Sequence, residues 1–356
     1  MILAGDIGGT KTHLALFDWT EHRVEPYRER TFASGDYQSL DEVLEEFLKP
    51  PTAALEVRLD EAEDEPTSAE REASPPEKPL TIEAACFGVA GPVIENRVRT
   101  TNLPWFIDGN ELATRFGIKS VRLLNDLEAT AHGLLVLHPN ETVSLNAGTP
   151  GASKRAIALI AAGTGLGEAI LVWDGARYHP LASEGGHTDF APNSDLEIDL
   201  LRHLRASYLH VSYERVLSGA GLHNIYEFLR DTKKNEPTWL AERLKAGDPA
   251  PIIAEVGLAK QAEICVQALD LFASIYGAEA GNLALKSMAL DGVYLGGGIA
   301  PKLLPKLQDG TFMRAFTAKG RYKRLLSSIP VRVIMNDKAA LLGSAAVAVW
   351  QTRLGH

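Results

Sequence analysis

The stretch Gly5-Asp6-Ile7-Gly8-Gly9-Thr10-Lys11-Thr12 decides how the rest of the chain is read. An apolar run from Ile2 to Ile7 leads into it, and a partly alternating run from Thr12 to Phe17, closed by Asp18, leads out. That spacing predicts strand, glycine turn, strand. The turn nearly spells a P-loop. It departs from one because GxxxxGK needs glycine where Thr10 stands, and because a strand is predicted where a P-loop has a helix. A second hairpin of the same design is predicted from Ala156 to Ala162, through Gly163-Thr164-Gly165-Leu166-Gly167, and from Glu168 to Trp173, closed by Asp174. Its glycines nearly spell a dinucleotide fingerprint, but the third falls one place early and a strand follows again. A third strand, 292–295, runs into Gly296-Gly297-Gly298. Each turn alone reads equally well as a tight hairpin. Three in this order, with an acid before the first, point to phosphate. Glycines let backbone N–H groups approach phosphate oxygens, Thr10 and Thr164 add hydroxyl donors, and Asp6 suits a water-bound Mg²⁺.

Around these turns the chain is ordinary globular material of 356 residues, 45% hydrophobic and 23% charged. At about 150 residues per domain, the length suggests two or three domains. The formal net charge of −10 lacks the basic footprint of a nucleic-acid or anionic-membrane binder. Residues 56–78 hold nine acids and three bases, so they supply −6 of that charge and leave −4 for the rest. With three prolines and no large apolar residue between Leu59 and Leu80, this stretch reads as a solvated insertion, about 56–80. No run approaches the ~18 apolar residues of a membrane span. The N-terminus has no signal-like apolar stretch, so the expected compartment is cytoplasmic, with no membrane and no nucleic-acid partner. Cys86 and Cys265 are isolated, which argues against a disulfide framework or a cysteine-built zinc site.

Several polar groups stand where chemistry could be done. Asn125-Asp126 follows the predicted strand 121–124 and precedes a predicted helix, 127–137. The pair reads either as a helix N-cap or as groups projecting from a strand end. Glu184 and His187 lie on the glycine-rich stretch Glu184-Gly185-Gly186-His187, which reads as a surface loop or as a site open to close ligand approach. Glu214 precedes a helix, 219–230, that Ser218 would cap. Asn102 sits in a turn before Trp105, more simply read as a turn beside a buried tryptophan. Further helices are predicted at 40–48, 109–116, 195–206 and 338–350, with a long apolar stretch from 252 to 289 and a loop from 141 to 154.

Taken in order, the three glycine turns resemble the two phosphate motifs and the adenosine motif of the hexokinase and actin superfamily. Leu123-Leu124-Asn125-Asp126, Glu184-Gly185-Gly186-His187 with Asp189-Phe190-Ala191-Pro192, and Glu214-Arg215-Val216-Leu217-Ser218-Gly219 resemble, more narrowly, the bacterial ATP-dependent glucokinases. Lys319-Gly320-Arg321 and Leu341-Leu342-Gly343-Ser344 also fit that family, and only the acidic insertion lies outside its pattern.

The resemblance implies an α/β, two-domain actin-like (ribonuclease H-like) fold with an interdomain cleft that closes on sugar. The smaller domain would be 1–136 plus 336–356 and the larger 137–335. It implies transfer of phosphate from ATP, with Mg²⁺, to the 6-hydroxyl of glucose. Asp126 would be the general base, and Asn125, Asp126, Glu184, His187 and Glu214 would bind the sugar. Asp6, Gly8, Gly9, Thr10, Lys11, Gly163, Thr164, Gly165, Gly297 and Gly298 would bind the nucleotide. No metal would be ligated directly, Mg²⁺ arriving with ATP and reached through water from Asp6. No cysteine lies between Cys86 and Cys265, unlike the zinc-binding ROK-type sugar kinases, so His187 would be metal-free. A homodimer is implied likewise. A kinase of another hexose, or a sugar-responsive regulator on the same fold, are the alternatives.

Overall fold

Glycines between two apolar runs reverse the chain at its start, and the computed structural model carries this hairpin as β1 (Ile2–Ile7) and β2 (Lys11–Phe17), antiparallel from Ile2 opposite Phe17 to Ile7 opposite Thr12. The structure describes residues 1–18, 26–49, 81–149, 151, 153–233 and 235–354. The acidic insertion lies outside the described residues. Strands β3 (Arg28–Ala33), β4 (Ala84–Val89), β5 (Arg97–Arg99), β6 (Phe106–Asp108) and β7 (Ser120–Asn125) follow. Five of them form one sheet in the order β3-β2-β1-β4-β7, in which β1, β4 and β7 run parallel. All six residues of β4 are buried, as expected of a central parallel strand with both faces covered. Its core joins Leu3, Leu14 and Phe87 to Phe47 of helix Leu40–Leu48 and to Trp105, whose indole N–H donates to the Tyr37 carbonyl at 3.1 Å.

The second sheet is built from β8 (Thr142–Asn146), β9 (Ile157–Ala162), β10 (Leu166–Trp173), β11 (Tyr178–Ser183), β12 (Gly292–Gly296) and β13 (Val331–Ile334). Its order is β11-β10-β9-β12-β13-β8. The run β11-β10-β9-β12-β13 repeats β3-β2-β1-β4-β7, an antiparallel meander followed by two parallel strands. The repeated strand–turn–strand pattern in the sequence is therefore a repeated sheet. β8 is the addition, a strand where a loop is predicted. It pairs only with β13 and none of its residues is buried, which leaves little periodic signal. The apolar stretch 252–289 is two helices, Pro249–Leu258 and Glu263–Ser287. They are broken where Lys260 takes a left-handed φ of 55°. The helix predicted at 127–137 is Asp126–Leu134.

The chain divides into two compact units, 1–126 with 344–356, and 127–343. Cys86 and Cys265 are both buried, one in each unit. Among the described residues, no helix is long and apolar enough to cross a membrane. The final helix, Ala339–Leu354, starts in the second unit and ends in the first. In the first, its Ser344 hydroxyl accepts the Gly88 N–H of β4 at 3.1 Å. In the second, Gly343 lies against helix Asp126–Leu134, where an added Cβ would fall 1.8 Å from the Ala129 carbonyl oxygen and 2.4 Å from the Gly133 nitrogen. Both obstacles are backbone, so they cannot swing aside. Gly343→Ala is expected to cost at least about 2 kcal/mol in urea unfolding. Gly35→Ala, where nothing lies within 4 Å of the new methyl, should stay within about 0.5 kcal/mol of the wild type.

Candidate functional site

Parallel pairing brings the first unit's polar residues to one sheet edge. Ile7 pairs with Val89 and Val89 with Asn125, so Gly8 and Asp126 leave the same carboxyl end of the sheet, on the two strands that flank β4. Such ends are where open α/β sheets bind ligands. The Asn125 amide donates to the Gly91 carbonyl at 3.1 Å, which fixes its orientation. Asp6 is partly buried, and its carboxyl is raised to about 6, first by burial and then by the charge of Asp126. Asp126 is thus within electrostatic range of Asp6, and the two charges repel.

The turn after β1 is braced from inside. Gly8 N–H donates to the Lys11 carbonyl at 2.9 Å. Buried Ser34 donates its hydroxyl to the Gly8 carbonyl at 2.9 Å, lies 3.0 Å from the Thr12 hydroxyl, and donates its N–H to the Thr10 carbonyl at 3.0 Å. The exposed face of the turn carries Thr10 and Lys11. Asn102 packs on Gly9, where an added Cβ would lie 2.6 Å from its own.

In the second unit, the other two glycine turns are neighbours. Ala161 pairs with Gly296, so Gly163 and Gly297 follow adjacent strand ends. Gly163 N–H donates to the Gly165 carbonyl at 2.8 Å, and the Gly163 carbonyl accepts the Gly219 N–H at 2.9 Å, at the start of helix Gly219–Lys233. Ser218 caps that helix by accepting the Gly221 N–H at 3.0 Å. Thr164, Gly297 and Gly298 are exposed. Glu214 lies against the same turn. Its Oε2 accepts the Leu166 N–H at 3.0 Å and stands where a Cβ on Gly165 would be only 2.5 Å away.

His187 stands between two acids. Its Nδ1 is 3.8 Å from Glu184 Oε2 and its Nε2 is 3.8 Å from Glu214 Oε1. Both gaps are too long for direct hydrogen bonds, and a hydroxyl beside either pair could bond to both members. The side chains of His187 and Glu184 are 61% and 85% exposed, open to a ligand. Thr188 holds their loop by donating its hydroxyl to the Gly185 carbonyl at 2.7 Å, and its own carbonyl accepts the Tyr213 N–H at 3.0 Å. Among the described residues, no three His, Cys, Asp or Glu side chains are grouped to hold a metal ion.

The first unit therefore gathers Asp6, Gly8, Gly9, Thr10, Lys11, Asn125 and Asp126. The second gathers Gly163, Thr164, Gly165, Gly297 and Gly298 at one sheet edge and Glu184, His187 and Glu214 in one polar group. Ser34 and Ser344 go unread in the sequence, since a lone serine carries no pattern. Glu168 also goes unread, although a glutamate at a buried strand position is a signal in itself.

The family described as Glucokinase matches residues 3–351. A glucokinase of Nostoc sp. is 38% identical over 363 residues, covering 98% of each chain. A glucokinase of Synechocystis sp. is 39% identical over 366 residues, covering 97% of each. The crystal structure of a glucokinase from an Antarctic psychrotroph superposes with a TM-score of 0.78 at 29% identity over 98% of each chain. A family match across nearly the whole sequence, with relatives this similar end to end, means that the chain belongs to the glucokinase family.

Proposed function

We propose that this enzyme transfers the γ-phosphoryl group of ATP to the 6-hydroxyl of glucose with Asp126 as the general base. Glucokinase activity, giving glucose 6-phosphate, follows from membership of the family. The observation that carries the assignment of the base is the position of Asp126 at the carboxyl end of β7, next to an oriented Asn125 and within electrostatic reach of Asp6.

In this reading, Asn125 and the group Glu184, His187 and Glu214 bind the sugar hydroxyls. Asp126 accepts the proton of the 6-hydroxyl as that oxygen bonds to the γ-phosphorus and the bond to the β-phosphate oxygen breaks. The carboxylic acid so formed returns its proton to solvent when product leaves. Gly8, Gly9, Thr10, Lys11, Gly163, Thr164 and Gly165 contact the phosphates. Gly297 and Gly298 border the nucleoside. Mg²⁺ bound with ATP neutralises charge on the β- and γ-phosphate oxygens. Asp6 would hold its water shell, and the raised Asp6 carboxyl beside Asp126 fits that role, because a cation there offsets their repulsion.

Asp126→Ala should lower kcat at least ~100-fold while the KM for glucose stays within a few-fold of wild type, in a coupled assay. Near-normal turnover would remove Asp126 as the base. Chelating Mg²⁺ should abolish turnover, whereas a zinc-selective chelator should leave it unchanged. Asp6 has a folded pKa of about 6, above its ordinary 3.8, so between those values the folded state holds more proton than the unfolded one. Asp6 therefore costs stability that grows as pH rises through this window. Asp6→Asn should stabilise the nucleotide-free protein by roughly 1–3 kcal/mol at pH 7.5, and by nothing below about pH 4, while reducing turnover. Thermal melts at the two pH values, beside the assay, check both halves.

A further inference from the structure

Beneath the loop assigned to the sugar lies a buried carboxyl pair that the chemistry above does not use. Glu168 is on β10, two residues after the Leu166 N–H that Glu214 accepts. It is 2% exposed, and its Oε2 lies so close under Gly185 that a Cβ there would stand 2.1 Å away. Its Oε1 is buried and receives no hydrogen bond from any donor among the described residues. Glu279, fully buried on helix Glu263–Ser287, is the group whose charge acts most strongly on it.

Two buried carboxyls so coupled cannot both be ionised without a large penalty. The surrounding donors show which of them keeps its charge. Glu279 Oε2 accepts the Asn282 amide at 2.8 Å, and Oε1 lies 3.4 Å from the Lys286 ammonium. From the 3₁₀ turn Tyr213–Arg215, the Tyr213 hydroxyl faces Glu279 and is itself met by Asn282 at 3.1 Å. Lys319, bonded to Asn282 at 2.5 Å, adds its charge on the Glu279 side. Facing Glu168 are the charge of Glu279, the more distant charge of Lys286 and the hydroxyl-bearing ring of Tyr276. Glu279 is thus the supported anion and Glu168 the proton holder. Burial, followed by the charge of Glu279, raises Glu168 to about 7.

We propose that Glu168 is a positioning residue for glucose binding: as a carboxylic acid it donates its proton to Glu279, and the singly charged pair is the floor on which Gly185-Gly186 rests and from which Glu184 and His187 are presented. A methyl on Gly186 would lie 2.0 Å from the Leu166 carbonyl oxygen, so the loop is seated directly on the strand that carries Glu168. When the proton leaves, the new charge meets no donor. Water must enter under Gly185 to solvate it, and the loop is displaced. Glucose affinity therefore falls on the alkaline side while the nucleotide turns are untouched. This inference rests on the assignment of Glu184 and His187 to the sugar.

The test is steady-state kinetics of the full chain between pH 6 and 9. In the wild type, the KM for glucose should be flat below about pH 7 and then rise toward tenfold per pH unit, as for a single ionisation, with the KM for ATP unchanged. Glu168→Gln keeps a donor toward Glu279 but cannot ionise, so its glucose KM should stay flat to pH 9. Glu168→Ala should raise the glucose KM about tenfold at every pH, with kcat within about threefold of wild type. Should that variant fail to fold, Glu279→Gln supplies the independent check: its amide meets an ionised Glu168 and should also abolish the alkaline rise. A wild-type KM that ignores pH, or a Glu168→Gln profile that follows the wild type, overturns the proposal. His187→Ala separates the two levels. An unchanged glucose KM in His187→Ala defeats the sugar-loop reading, and the proposal falls with it. A raised KM there, with Glu168→Gln behaving as wild type, defeats the proposal alone.

Discussion

Carboxylates withdrawn from water at the end of a sheet are costly, and in the first unit burial, followed by the charge of Asp126, raises Asp6 to about 6. The surroundings keep this pair in place. Parallel register brings the ends of β1 and β7 level on either side of β4, Ser34 ties down the carbonyls of the hairpin turn, and Asn125 is fixed by the Gly91 carbonyl. The repulsion would be relieved by a cation, which is why the proposed function places the water shell of Mg²⁺ beside Asp6.

The second unit contains the same problem with a different solution. Glu168 and Glu279 are sealed from water, so a shared proton and the Lys286 charge take the place of an incoming cation. In the proposed function one acid pair would face the nucleotide and the other would lie beneath the sugar-binding loop. Their exposure, rather than their chemistry, separates the two roles.

Much of the fold was legible because glycine turns between apolar runs are local events. Both hairpins, strand Ala84–Val89 and helix Gly109–Phe116 needed no information from far along the chain. Half-buried strands such as β8 were not legible, since neither face gives a clean alternation. The break between the helices Pro249–Leu258 and Glu263–Ser287 was hidden by apolar residues on both sides. In the site, Asp6 and the turns announced themselves by spacing. Glu184, His187 and Glu214 sit on loops with no period, and only the family resemblance singled them out. Ser34 beneath Gly8, and Glu279 beside Glu168, act across 26 and 111 residues of sequence, and no local reading reaches that far.

The first unit is discontinuous, and this bears on how the molecule is made. Gly88 N–H lies in a fully buried strand and finds its partner in Ser344, 256 residues later. A chain growing from its amino end makes all five strands of the first sheet, and then the whole second unit, continuous from 127 to 343, before Ser344 exists to meet that amide. The unit whose strands are made first is therefore the later of the two to be finished, once helix Ala339–Leu354 has been made.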